Sequence, residues 1–193
     1  MKNSLKKIAT IATIAFTMFS FSAIGQNKKE VKNESSKVVW KGYKVTGAHE
    51  GTIDIKSGHL DFNQDKLSGG EFVINMASLT STDLKVGEGK GKLEGHLKSE
   101  DFFGVEKFPT ATLIFKNVTS TGKNSYEVVG DITIKGKTES IKLDVSVYGN
   151  KANASLKIDR TKFDVKYGSA SFFDGLKDKA IYDDFDLIVD LEF

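Results

Sequence analysis

Cysteine is absent from all 193 residues. Its absence removes disulfide staples, thiol nucleophiles and thiolate metal ligands together. Proline occurs once, at Pro109, and arginine once, at Arg160, so bidentate recognition of phosphate or carboxylate has one candidate. Three histidines, His49, His59 and His96, give neither an HxH pair nor an HExxH pattern. Ser169 and Ser171 have no histidine at an informative spacing. Alternation sends Asp184 and Asp186 of the Asp183-Asp184-Asp186 group to the solvent face of a strand. The sequence is therefore expected to be no enzyme and to need neither metal nor cofactor.

A strong charge of either sign is missing too. The whole chain carries a formal +2, and loss of residues 1–25, with Lys2, Lys6 and Lys7 and no acid, brings it to −1. That near-neutral surface excludes a nucleic-acid partner, which needs a basic stripe to displace counterions.

Those first 25 residues carry their own signal. Three lysines precede an apolar run over 8–21, and Ala23-Ile24-Gly25 has the small-x-small pattern of a signal peptidase site. The run is shorter than the ~20 apolar residues of a spanning helix. Residues 1–25 are thus expected to be a cleaved signal peptide, with the mature protein periplasmic or secreted and without a membrane span. No cysteine follows the run, which excludes a lipidated terminus. Residues 26–36 are polar apart from Val31 and are expected to be a flexible leader, with one domain over 37–193.

From residue 37 the apolar period is two. Val38 and Trp40, then Ile53 and Ile55, then Leu60 and Phe62 read as three short strands with turns at Gly47 and Ser57-Gly58. Ser68-Gly69-Gly70 reads as a turn before Phe72, Ile74 and Met76, and His59 as a solvated turn residue. After Pro109, Ala111, Leu113 and Phe115 share one face. Further strands carry Tyr126 to Ile134, then Ile141 to Val147 after the turn Lys135-Gly136-Lys137, then Ala152 to Ile158. The last strand alternates Phe185, Leu187, Val189, Leu191 and Phe193 with mostly acidic residues. About eight or nine strands without a βαβ rhythm give an antiparallel sandwich or barrel. The glycine-rich stretch 84–91 lacks the Walker spacing and reads as a loop.

One segment breaks this rhythm. Leu93 and Leu97 stand four apart on one helical face, with Glu94 and Lys98 placed to pair beside them. Phe102, Phe103, Phe108 and Pro109 follow at once. A short helix beside an apolar plug suits the closure of a barrel end or the roof of a cavity. The segment 168–176, with Phe172 and Phe173, is a second irregular apolar stretch.

His96-Leu97-Lys98-Ser99-Glu100-Asp101-Phe102-Phe103, followed by Phe108-Pro109-Thr110-Ala111-Thr112, resembles the central motif of the YceI-like family of bacterial lipid- and polyisoprenoid-binding proteins. Three further blocks fit in order: Ser78-Leu79-Thr80 before the helix, Gly130-Asp131-Ile132-Thr133-Ile134-Lys135-Gly136-Lys137-Thr138, and Ile158-Asp159-Arg160-Thr161-Lys162-Phe163. The pattern departs from the commoner one at Glu94-Gly95, where many members carry Arg-Asp, and at Asp164, where glycine is usual.

The resemblance implies an all-β fold: an extended, lipocalin-like, eight-stranded antiparallel barrel with one short helix and loops closing it. It also implies a long hydrophobic ligand, a polyisoprenoid, isoprenoid quinone or fatty-acyl lipid, carried by an exported monomer or homodimer for transport or sequestration. Alternation laid onto that barrel nominates Trp40, Phe72, Ile74 and Phe115 as lining residues, with Ile132, Ile134, Leu143, Phe185 and Leu187. Phe102, Phe103, Phe108, Phe172 and Phe173 join them from the irregular segments. His96 and Arg160 are the polar candidates for a head group, and His49 is a third choice at the mouth. The competing expectation is a stress-related interaction protein whose barrel is filled by its own phenylalanines, with an exposed apolar patch in place of a ligand.

Overall fold

The computed structural model describes residues 26–193. The expected signal peptide lies outside the described residues. In chain order the elements are β1 (Gln26–Glu30), β2 (Lys37–Lys44), β3 (Gly47–Asn63), β4 (Lys66–Ser81), helix α1 (Lys90–Lys98), β5 (Thr110–Ser120), β6 (Ser125–Ile134), β7 (Lys137–Tyr148), β8 (Lys151–Asp159) and β9 (Ile181–Glu192). The sheet runs β1-β3-β2-β9-β8-β7-β6-β5-β4, and β4 pairs back onto β3. The strands β2 to β9 therefore form a closed antiparallel ring of eight, which settles the choice between sandwich and barrel.

Tight turns hold the hairpins in register. Lys135 and Gly136 both have positive φ, 51° and 74°, the pair required by a two-residue turn that matches strand twist. Gln64 and Asp65, at 49° and 63°, make the corresponding turn between β3 and β4.

The stretches read as turns at Ser57-Gly58 and Ser68-Gly69-Gly70 are strand interior. β3 is a single strand of 17 residues whose register with β4 shifts between Ile55 and Ser57. That bulge moves the inward set from Gly51, Ile53 and Ile55 to Gly58, Leu60 and Phe62, all buried. Gly58 is there for close approach: a Cβ would stand 2.6 Å from the Phe72 ring. His59, expected in a solvated turn, sits in β3 opposite Glu71, with Asp61 3.7 Å away.

Residues 26–36 are a second correction. The expected flexible leader is the strand β1 and a 3-10 turn, Asn33–Ser35. β1 and β2 lie end to end along one edge of β3, running from Gln26 opposite Asn63 to Glu30 opposite His59, then from Val38 opposite Ile53 to Lys44 opposite Gly47. Strand pairing uses backbone groups, so a polar sequence does not prevent it. Val31 N–H donates to the Gly58 carbonyl and Lys32 N–H to that of Glu192.

The barrel's two ends differ. At one, Phe62 and Phe193 meet at 5.6 Å between ring centroids, and the Lys29 ammonium covers both rings. At the other lie α1, the segment 99–109, the 3-10 turn Arg160–Phe163 and the segment 164–180.

Candidate functional site

Inward side chains of a small barrel either fill it or leave room. Here Val38, Phe72, Ile132, Ile134, Leu143 and Leu156 are buried, whereas Ile74, Leu113, Phe115, Phe185, Leu187 and Val189 are only half-buried although alternation turns them inward. Their residual exposure faces a cavity of about 350 Å³. The volume lies at the lower end of the range for small-molecule sites. The wall is almost wholly aliphatic and aromatic.

The roof is α1. Leu93 and Leu97, predicted to share a helical face, both line the cavity. Glu94 points the other way, to β4: its Oε1 accepts from the Thr80 hydroxyl at 2.5 Å and from Ser81 N–H at 2.9 Å. Those bonds, the Thr80 hydroxyl above all, hold the carboxyl below its ordinary range. Its ion-pair partner is Lys90, at 3.7 Å, and not Lys98. Ser78 has a role of the same kind. The register of β3 with β4 slips between Thr52 and Asp54, and the Ser78 hydroxyl accepts from Asp54 N–H while donating to the Asn75 carbonyl. The Ser-Leu-Thr block thus patches a bulge, lines the cavity through Leu79 and clasps the helix.

Arg160 is 2% exposed and its fork is taken up by backbone. Nε donates to the Tyr182 carbonyl, Nη1 to that of Val165 and Nη2 to that of Ile181. Burial pushes its pKa down, and the charges of Asp183, 3.5 Å from Nη2, and Asp159 push it back. Asp159 itself caps the following turn through Thr161. Asp183 accepts from the Ser171 hydroxyl at 2.6 Å; burial pushes its carboxyl up, but the hydroxyls of Ser169 and Ser171 and the guanidinium bring it below its usual range. Arg160 is therefore a clamp joining the end of β8 to the start of β9, with its guanidinium 5.5 Å from the Phe102 ring.

His96 stands across Phe102 from that clamp. Its ring lies 5.6 Å from Phe102 and 4.4 Å from Tyr167, and its Nε2 is buried with no hydrogen-bond partner. His49, at the mouth, is bound to Asp83 at 2.7 Å. Burial raises the Asp83 carboxyl, but hydrogen bonds from Ser81 and His49 outweigh that and lower it.

Of the sequence candidates, Trp40, Phe72, Ile74, Phe115, Ile132, Ile134, Leu143, Phe185 and Leu187 line the cavity from the strands. His96, Phe102, Phe103 and Arg160 line it from the roof. Three do not. Phe172 and Phe173 are 49% and 51% exposed on the 164–180 segment, where Ser169 takes the buried place. Phe108 is half-buried outside the lumen, its ring against Gly136. Those three belong to irregular backbone, where no alternation fixes a direction. The lining residues missed, Leu113 and Val189 among them, follow the alternation already seen in β5 and β9. Lys44 and Tyr43, at the mouth, carry no such signal.

A closed eight-stranded barrel with a helix roofing a one-ended apolar cavity belongs to the lipocalin-like class of folds. The family model for the YceI-like domain matches residues 30–193, and the chain belongs to that family. It is 29% identical over 114 residues to a UPF0312 protein of Vibrio cholerae, across 53% of this chain and 60% of the relative. It is 42% identical over 60 residues to a UPF0312 protein of Staphylococcus aureus, across 31% of this chain and 32% of that one. The match thus spans about three-fifths of the Vibrio protein's length. Among solved structures, BcnA of Burkholderia cenocepacia superposes with a TM-score of 0.66 at 24% identity, over 83% of this chain and 98% of BcnA. A polyisoprenoid binding domain from Saccharophagus degradans gives 0.58 at 13% identity, over 86% and 97%. Both likenesses are of fold. Among the described residues no helix is long and apolar enough to cross a membrane.

Proposed function

We propose that this protein is an exported binding protein, without catalytic activity, that holds a long hydrophobic chain in its barrel for transport or sequestration. A polyisoprenoid, an isoprenoid quinone or a fatty-acyl lipid has the required shape. The observation that carries the reading is the unfilled, apolar lumen of about 350 Å³ lined by half-buried side chains. A buried methylene contributes about 0.8 kcal/mol, so a few prenyl units offset the cost of association. The Saccharophagus domain of the same fold is described as polyisoprenoid binding, which supports the same class of ligand here. Export rests on the pattern of residues 1–25.

Native mass spectrometry of the purified mature protein, followed by organic extraction, tests this. A stoichiometric prenyl or acyl compound is expected, and Leu187→Trp, which fills the lumen, should abolish its retention while the β circular dichroism stays. An empty wild-type protein that takes up no fluorescent lipid would overturn it. The second reading, an interaction protein, draws on exposed Tyr167, Phe172, Phe173 and Tyr182 at the roof end, and predicts no extractable ligand.

A further inference from the structure

The inner face of β2 ends on a charge. Val38, Trp40, Gly42 and Lys44 alternate along it, and the unbroken register with β3, from Val38 opposite Ile53 to Lys44 opposite Gly47, keeps all four on the cavity side. No apolar period announces Lys44 in the sequence, because it is the polar end of an apolar row. It is half-buried and forms no ion pair among the described residues. Beside it there is room. Gly42 stands opposite His49 on one side and Phe185 on the other, and a Cβ built on it would meet nothing within 4 Å. The rim of the cavity therefore carries a notch over Gly42, next to the Lys44 stem.

The other charges near the neck are committed or turned away. Arg160 spends Nε, Nη1 and Nη2 on backbone carbonyls, with Asp183 alongside. His49 lies diagonal to Lys44 across the strand pair and is bound to Asp83. A carboxylate with an imidazole, protonated or neutral, leaves no net positive charge. Asp186 faces outward to the Tyr43 hydroxyl and Lys157. Asp184 touches the lining but shares the outward parity of Asp186 and is exposed, and Glu50 stands opposite Lys41 on the outer side. Among the described residues Lys44 is thus the uncompensated positive charge at the top of an apolar lumen.

We propose that Lys44 is the polar anchor of the site and that the preferred ligand is a long-chain monocarboxylate, its carboxylate in the notch over Gly42 and its tail down the barrel. The inference rests on the cavity being a binding site. One ammonium balances one carboxylate. A phosphate monoester, with about two charges, would leave a surplus beside the Asp83 carboxylate. A neutral hydroxyl in the notch would accept a hydrogen bond from Nζ without the charge that strengthens it.

Displacement of a neutral naphthylamine fluorophore from the delipidated mature protein, at neutral pH, tests the assignment with dodecanoate, dodecanol, dodecyl phosphate and dodecane as competitors. Wild type should bind dodecanoate about tenfold more tightly than dodecanol, the advantage of a charged hydrogen bond over a neutral one, with dodecyl phosphate no tighter than dodecanoate. Lys44→Met, which keeps the apolar stem, should erase the lead of dodecanoate and leave dodecane unchanged; Lys44→Arg should keep it. Added salt should shrink the ratio of dodecanoate to dodecanol in wild type and not in Lys44→Met. A dodecanoate lead that survives Lys44→Met would overturn the anchor while leaving the cavity reading intact. So would dodecanol level with dodecanoate in wild type, and dodecyl phosphate ahead of both would overturn the choice of a monocarboxylate. Failure of fluorophore and competitors alike to bind would sink the cavity reading, and the anchor with it.

Discussion

Gly51 carries no chemistry, yet few positions in the barrel tolerate so little. A Cβ there would fall 2.6 Å from the Trp40 ring and closer still to the Thr80 carbonyl, the same carbonyl that accepts from Trp40 Nε1 at 3.2 Å. The glycine lets the indole lie flat across β3. Gly51→Ala should cost about 3 kcal/mol, read as a lowered denaturation midpoint with unchanged slope. Phe172→Ser and Phe173→Ser should each shift stability by less than about 0.5 kcal/mol and leave lipid retention intact, because both side chains are half exposed outside the lumen. The contrast marks what was legible at this scale. Phe72, Phe115 and Leu187 announce their direction through strand alternation; Phe172 looks the same in sequence but stands on backbone with no period. Gly51 looked like any strand glycine, since the ring that excludes a side chain there comes from β2.

The join between β4 and α1 is an element-scale device. The Ser78-Leu79-Thr80 block is recognisable in sequence, and its meaning is not, because both the bulge it patches and the carboxylate it meets lie elsewhere in the chain. Glu94 supplies that carboxylate, at a position where many relatives are expected to carry arginine. Its folded-state pKa lies below its ordinary value of 4.5, so the folded protein releases the proton more readily than the unfolded chain does. Ionised Glu94 therefore contributes stability that is fully present above pH 4.5 and is lost as pH falls through the folded-state pKa. Glu94→Gln should lower stability by about 1 kcal/mol at neutral pH, with the gap to wild type closing in acid, as chemical denaturation across that range would show. A gap that persists at low pH would mean that the carboxylate's charge plays no part. Strand phases across bulges were the least legible feature of the elements: one inserted residue at Ser57 exchanges inside for outside, and the same residues read as a turn.

For the molecule as a whole, alternation left sandwich and barrel equally open, and the pairing of β2 with β9 decided between them. That contact joins the first strand of the ring to the last, with Lys37 opposite Asp190, so nothing local reveals it. The N-terminal strand was hidden for a different reason, having almost no apolar residue to reveal it. Removing 26–32 should leave the eight-stranded ring folded but cost about 1–2 kcal/mol from lost backbone bonds and the uncovered Phe62–Phe193 pair, visible as a lower Tm with the same β circular dichroism.

The aromatic pair that stops the far end has a further consequence. Phe62 and Phe193 lie beyond the cavity wall, so the lumen is a vessel with a single neck. For the proposed chain, traffic would be last in, first out: it would leave along the path by which it entered. Exchange would then be paced by loosening of the Glu94 clasp and the Arg160 clamp around that neck, while the staves of the barrel stay still.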